Sequence, residues 1–94
     1  MATSKVQKNI NMLKLTPQIS AISDEKTVIT VPFGTTISNV KMIIPVVWTS
    51  TGNRNNMFCT AVADYSTTDC KIALWSLGGS PSGAQPFLEV CVLY

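Results

Sequence analysis

The stretch VKMIIPVVW, at residues 40–48, is the longest apolar run in the chain, with seven large apolar or aromatic residues among nine. Isoleucine, valine and tryptophan favour the pleated surface of a β-strand. Alternation along a strand gives two faces: one carries Val40, Met42, Ile44, Val46 and Trp48, and the other carries Lys41, Ile43, Pro45 and Val47. Because a half-buried strand has a polar second face, this pattern predicts a strand that is covered on both sides, or nearly so.

Further strand patterns flank this run, with turn residues between them. TVITV at residues 27–31 predicts a strand, and Gly34 can adopt the positive φ of the turn that follows. The next strand is predicted over residues 37–48. Because Pro45 cannot donate to a neighbouring strand, it marks an edge position, a bulge or a break.

Residues 57–65 and 70–77 predict a hairpin, and residues 87–94 predict a last strand. A four-residue loop places Tyr65 opposite Cys70. Continued without interruption, this register gives the pairs Asp64–Lys71, Val62–Ala73, Thr60–Trp75 and Phe58–Leu77. The first of these brings opposite charges together, which is mildly favourable across a strand pair.

Six to eight short strands and no secure helix predict an all-β fold, an antiparallel β-sandwich or a jelly-roll-like arrangement. The 94 residues suit one domain. We expect the sandwich to span residues 27–94, and residues 1–26 to form an N-terminal arm or edge strand. A helix within residues 1–16 stays open, because Val6, Ile10 and Leu13 also have helical spacing.

The composition favours a subunit that buries part of its surface. Charged residues make up 13% of the chain, against roughly 25% in soluble domains, and 9 serines, 11 threonines and 6 asparagines replace them. This composition, together with strands that are apolar on both faces, predicts a homo-oligomer. The alternative is a stable β-domain with a hydroxyl-rich surface. A net charge of +2 does not favour direct nucleic-acid binding.

The residues that carry most enzyme chemistry are few. The chain has no histidine, and its carboxylates, Asp24, Glu25, Asp64, Asp69 and Glu89, have no metal-ligand spacing. Three cysteines, Cys59, Cys70 and Cys91, cannot form a closed disulfide framework, and all three are predicted to be small buried side chains. We therefore expect no enzymatic activity, no metal and no cofactor.

A glycan-binding loop is the candidate site. Trp48 runs into the most polar stretch of the chain, which contains Asn53, Arg54, Asn55 and Asn56. An aromatic face can pack on a sugar ring while amide and hydroxyl groups bond its hydroxyls. The alternative interpretation is a core Trp48 beside a solvated loop. Trp75, in the middle of a predicted strand, favours the core or a subunit interface.

Two short segments suggest a family. TVPFG at residues 30–34 and VCVLY at residues 90–94 resemble the opening and closing strands of small β-sandwich virion proteins of tailed bacteriophages, namely tail-fibre tips, head fibres and decoration proteins. The resemblance covers about residues 27–94, and no functional residue carries over.

This resemblance implies a homotrimer in a virion, in contact with other virion proteins and with a host surface glycan as a further partner. We expect a non-enzymatic virion structural protein used for host attachment or for capsid or tail decoration. It would be made in the host cytoplasm without a signal peptide and without membrane insertion. The alternative is a stand-alone lectin-like carbohydrate-binding module.

Overall fold

Six β-strands form two antiparallel three-stranded sheets in the part of the chain that the computed structural model describes, residues 9–49 and 57–94. The strands are β1 Met12–Leu15, β2 Lys26–Pro32, β3 Met42–Trp48, β4 Phe58–Tyr65, β5 Asp69–Ser76 and β6 Phe87–Leu93. The first sheet has the order β1-β6-β3 and the second has the order β2-β5-β4. The predicted all-β fold is confirmed.

One hydrophobic core joins the two sheets into a sandwich. Its most deeply buried side chains come from the two central strands: Cys70, Ile72 and Leu74 on β5, and Val90 and Val92 on β6. Side chains between the strands complete the same cluster, namely Ile19, Ile22, Phe33 and Ile37. Each large apolar side chain buried in this way contributes about 1.5–3 kcal/mol to stability.

The segment before β2 contributes both a strand and core residues. Strand β1 lies at the edge of the first sheet and pairs antiparallel with Val90–Leu93 of β6. Ile19 and Ile22 then enter the core, and Ile22 exchanges backbone hydrogen bonds with Ala84. Residues 9–16 are therefore not helical, and the rest of the predicted arm, residues 1–8, lies outside the described residues.

Strand β3 is shorter than predicted. It begins at Met42 and not at residue 37. Ile37 is a buried loop residue whose N–H donates to the carbonyl oxygen of Thr67 at 2.7 Å, so the chain before Met42 crosses between the sheets and does not extend β3. Of the three roles predicted for Pro45, the edge position is confirmed, because β3 is an edge strand of its sheet.

Only one face of β3 is covered by the described residues. Ile43, Pro45 and Val47 are half-buried, and Ile43 and Val47 pack against the core. Met42, Ile44, Val46 and Trp48 are exposed on the other face. The prediction of a strand covered on both sides is therefore wrong for a single chain, and the face left open is the more apolar one.

The hairpin β4–β5 follows the predicted register only next to its turn. Tyr65 pairs with Cys70 and Asp64 pairs with Lys71, as predicted. A β-bulge between Val62 and Asp64 then shifts the register by one residue. The observed pairs beyond it are Val62–Ile72, Ala61–Ala73, Thr60–Leu74, Cys59–Trp75 and Phe58–Ser76.

The bulge decides which side chains of β4 face the core. Phe58 and Thr60 pair with inward-facing β5 residues and are half-buried, whereas Cys59 and Ala61 are exposed on the outer face. The prediction that all three cysteines are buried is thus wrong for Cys59. Cys70 is fully buried, and Cys91 is half-buried on β6.

Candidate functional site on the outer face of the first sheet

The outer face of the first sheet is exposed and apolar. Six large apolar side chains on it expose between 40% and 64% of their surface: Met12, Met42, Ile44, Val46, Trp48 and Phe87. Leu93 and Cys91 are half-buried between them on the central strand. A contiguous apolar surface of this kind is typical of an interaction site.

Strand pairing arranges these side chains in rows across the sheet. The rows are Met12–Leu93–Met42, Lys14–Cys91–Ile44, Glu89–Val46 and Phe87–Trp48. With a rise of about 3.3 Å per residue and strands about 4.8 Å apart, three strands of up to seven residues cover on the order of 300 Å² of flat sheet. The face therefore reaches the size of the largest patches on typical monomers.

Within residues 9–49 and 57–94, two charged residues lie on the strands of this face, and they neutralise each other. Lys14 Nζ lies 3.3 Å from Glu89 Oε1. An ion pair at this level of exposure adds little to stability. Its effect on recognition is larger, because the paired charges leave the face neutral and another neutral apolar surface can approach it without repulsion.

The face divides into two regions. An aliphatic patch consists of Met12, Met42, Ile44, Val46, Leu93 and Cys91. An aromatic end consists of Trp48 and Phe87, whose rings stack with centroids 5.5 Å apart and planes 21° from parallel. The two rings stack because β3 and β6 place them directly opposite each other.

A groove of about 610 Å³ lies beside the aromatic end. The groove exists because β1 pairs only with residues 90–93 of β6. After β1 ends, the chain at residues 16–19 diverges from the edge of β6 that residues 87–89 form. The amide nitrogen Nε2 of Gln85 donates to the carbonyl oxygen of Ile19 at 3.5 Å, which ties the two walls together. Polar side chains of Thr16, Gln18, Gln85 and Glu89 line the groove with the two aromatic rings.

The structure describes one of the five predicted glycan-binding residues, Trp48. Trp48 is exposed and lines the groove, so the alternative of a core Trp48 is wrong. Asn53, Arg54, Asn55 and Asn56 lie outside the described residues. Sequence reasoning missed Phe87, Glu89, Gln18 and Gln85, because only the pairing of β3 with β6 and the early end of β1 bring these residues beside Trp48.

The outer face of the second sheet has a different character. Lys26 and Lys71 lie on it, and Lys26 Nζ is 5.4 Å from the centroid of the Trp75 ring. Trp75 is half-buried and Ala73 is fully buried between its neighbouring strands. Trp75 is thus a surface-facing residue packed under a lysine and not a core residue. On this face Lys26 and Lys71 interrupt the rows on either side of the apolar row Val28–Ala73–Ala61.

The side chains that the structure describes offer no cluster suited to metal binding. Within residues 9–49 and 57–94, no group of three or more histidine, cysteine, aspartate or glutamate side chains is placed to hold a metal ion. Burial, with a smaller contribution from Asp69, raises the pKa of the Cys70 thiol, which keeps it protonated and poorly nucleophilic. Over the same residues, no helix is long and apolar enough to cross a membrane.

Comparison of the chain with protein-family models, with curated proteins and with solved structures gives no match.

Proposed function

We propose that this chain is a non-enzymatic structural subunit that self-associates through the aliphatic patch, and that it serves in a bacteriophage virion for host attachment or for capsid or tail decoration. The observation that carries the proposal is the outer face of β3. Met42, Ile44 and Val46 are exposed there, although Ile44 and Val46 are as apolar as Ile43 and Val47, which pack against the core on the other face. A single folded chain gains nothing from this arrangement.

The energetics favour association. Full burial of a large apolar side chain contributes about 1.5–3 kcal/mol. The four most exposed members of the patch are already about half covered, so burying the rest yields on the order of 3–6 kcal/mol per copy, before any contribution from the aromatic end. Each copy of a symmetric assembly contributes such a surface, and the neutral Lys14–Glu89 pair adds no repulsion.

Support for a virion role comes from the two segments that resemble phage β-sandwich proteins. TVPFG includes the end of β2 and the turn at Gly34, where φ is 74°. VCVLY includes most of β6, the central strand of the sheet that carries the patch. A homotrimer is the assembly that the resemblance favours, and other virion proteins are the expected neighbours.

A lectin-like function is the second candidate, and the groove beside Trp48 and Phe87 favours it. The groove offers aromatic rings, amides and a carboxylate within one concave surface. This function is compatible with self-association, because Met12, Met42, Ile44 and Val46 do not line the groove.

Light scattering coupled to size-exclusion chromatography tests self-association. We expect the wild-type chain to elute as an oligomer, with a trimer favoured, and the double variant Ile44→Gln/Val46→Gln to elute near the monomer mass of 10.2 kDa. The loss of two apolar contacts per copy weakens association by at least about a hundredfold. Val28→Gln is the matched control, because Val28 is 47% exposed on the other sheet.

The two variants separate assembly from folding. Circular dichroism should show unchanged β-structure in both, because all three substituted side chains face outward. A wild-type monomer at micromolar concentration contradicts the proposal. So does a double variant that keeps the wild-type mass.

A further inference from the structure

We propose that the groove at the aromatic end binds a neutral saccharide of one or two rings. This inference deepens the attachment role within the proposed function, but it rests on different residues. It can therefore fail while self-association holds, or hold while self-association fails.

The aromatic rings provide the first argument. Trp48 and Phe87 are 46% and 52% exposed, and they lie together at one end of the sheet. Because the two rings stack on each other, each keeps one free face, and such a flat apolar face matches the C–H face of a pyranose, which presents apolar hydrogens on one side and hydroxyls at its rim. The stack also fixes the orientation of both rings, which lowers the entropy cost of binding.

The polar side chains around the rings provide the second argument. Gln18 and Gln85 each carry a donor and an acceptor, Thr16 carries a hydroxyl, and Glu89 carries an acceptor. Sugar hydroxyls both donate and accept, so they need such a mixed set. A few polar groups placed around an apolar floor are the usual composition of a small-molecule site, and the groove volume falls in the usual range of about 300–1,000 Å³.

Charge decides between neutral and acidic ligands. Among the described lining residues, Glu89 is the charged one, and its positive partner Lys14 does not line the groove. A phosphate, a sulfate or a sialic acid carboxylate would meet the Glu89 carboxylate without a compensating cation among the lining residues that the structure describes. The described lining therefore disfavours polyanions and favours an uncharged sugar.

An extended peptide is the competing ligand. Within the described part of the chain, the edge of β6 at residues 87–89 has no paired strand on the side that β1 leaves, so a peptide could add there. The segment at residues 16–19 lies beside this edge and is tied across the groove by Gln85 and Ile19. A peptide strand would have to displace that segment, whereas a saccharide can sit on the rings without moving it.

The test begins with the full chain on an array of neutral and acidic oligosaccharides. A neutral glycan that binds is then measured by isothermal titration calorimetry beside 3′-sialyllactose and beside a heptapeptide of alternating valine and threonine. We expect binding to neutral glycans and none to the other two probes. Failure of every neutral glycan overturns the inference, as does binding of the peptide in their place.

Variants locate the binding. Trp48→Ala should weaken the affinity for the selected glycan by at least about tenfold, the loss expected for one stacking contact. Trp75→Ala is the matched control, because it makes the same change on the opposite sheet and should leave the affinity unchanged. Equal effects of the two variants, or no effect of Trp48→Ala, contradict the assignment.

Glu89→Gln tests the charge argument. The substitution keeps the shape of the side chain, removes the negative charge and leaves Lys14 nearby without its partner. We expect the acidic probe 3′-sialyllactose to gain measurable binding while the neutral glycan is held within about threefold of its wild-type affinity. Continued rejection of the acidic probe would show that the Glu89 charge does not set the selectivity.

Discussion

Thr60→Val should stabilise the fold, because it removes an unpaired polar atom from the interior. Thr60 lies on β4 opposite Leu74, which is fully buried. Its hydroxyl oxygen Oγ1 is buried and has no hydrogen-bond partner among the described residues. Valine has nearly the same shape and a high preference for strands, so it replaces the hydroxyl with a methyl group in the same space.

The expected gain follows from the cost of the unpaired hydroxyl. Leaving a buried polar group without a partner costs about 1–3 kcal/mol. We expect Thr60→Val to raise the free energy of unfolding by about 1–2 kcal/mol. For a domain of this size, each kcal/mol corresponds to about 4–8 °C in the midpoint of thermal unfolding.

Thermal and guanidinium unfolding, followed by circular dichroism at one fixed protein concentration, measure the change. Thr27→Val is the control, because Thr27 pairs with Leu74 from the opposite side but is partly exposed. Its hydroxyl is not among the buried atoms without a partner, so its substitution should change stability by less than about 0.5 kcal/mol. Equal stability of Thr60→Val and the wild type, or a loss, would refute the reasoning.

Three further predictions concern the core and the cysteines. Leu74→Ala should lower the free energy of unfolding by about 2–5 kcal/mol, whereas Leu77→Ala, at a site 50% exposed, should change it by less than about 1 kcal/mol in chemical denaturation. A thiol reagent should label Cys59 in the folded protein and Cys70 only after unfolding, as peptide mass mapping can check. In the folded protein the pKa of the Cys70 thiol is raised above 9.0. The stabilisation of the folded state by the protonated thiol is therefore present below pH 9 and is lost as the pH rises further. The difference in the free energy of unfolding between the wild type and Cys70→Ala should shrink above pH 9.

The sequence was sufficient to predict the parts of the fold that depend on local chemistry. Gly34 has the positive φ expected of its turn, and Tyr65 and Cys70 flank the hairpin loop as predicted. Pro45, which cannot donate a hydrogen bond, predicted an edge position, a bulge or a break, and it lies on an edge strand. In each case, the properties of one or two residues restrict the backbone, so neighbours distant in sequence have little influence.

The bulge in β4 could not be predicted in this way. Around Ala63 the chain is small and apolar on both faces, so the side-chain pattern fits either register. The core decides between them: Phe58 and Thr60 turn inward and fill the space above β5, and Cys59 turns outward. That choice depends on the volume available between two sheets, which a single strand does not specify.

The side of β3 that faces the core could not be predicted from the sequence either. Its two faces are both apolar, and the sequence does not indicate which one the chain covers. The core is completed by Ile19, Ile22, Phe33 and Ile37, which lie outside the six strands. With these loop side chains in place, Ile43 and Val47 are sufficient for the inner side of β3, and Met42, Ile44, Val46 and Trp48 are left to face outward.

The short length of β1 links the two proposed uses of this outer face. Four residues of β1 cover β6 only from Val90 to Leu93, beside most of the aliphatic patch. If β1 continued to pair through residues 16–19, the edge of β6 at residues 87–89 would be covered and the groove would close. Pro17 has no backbone N–H to donate, so it opposes that continuation. The end of β1 thus leaves one sheet with an apolar surface suited to another copy and, at its far end, a mixed groove suited to a small polar ligand.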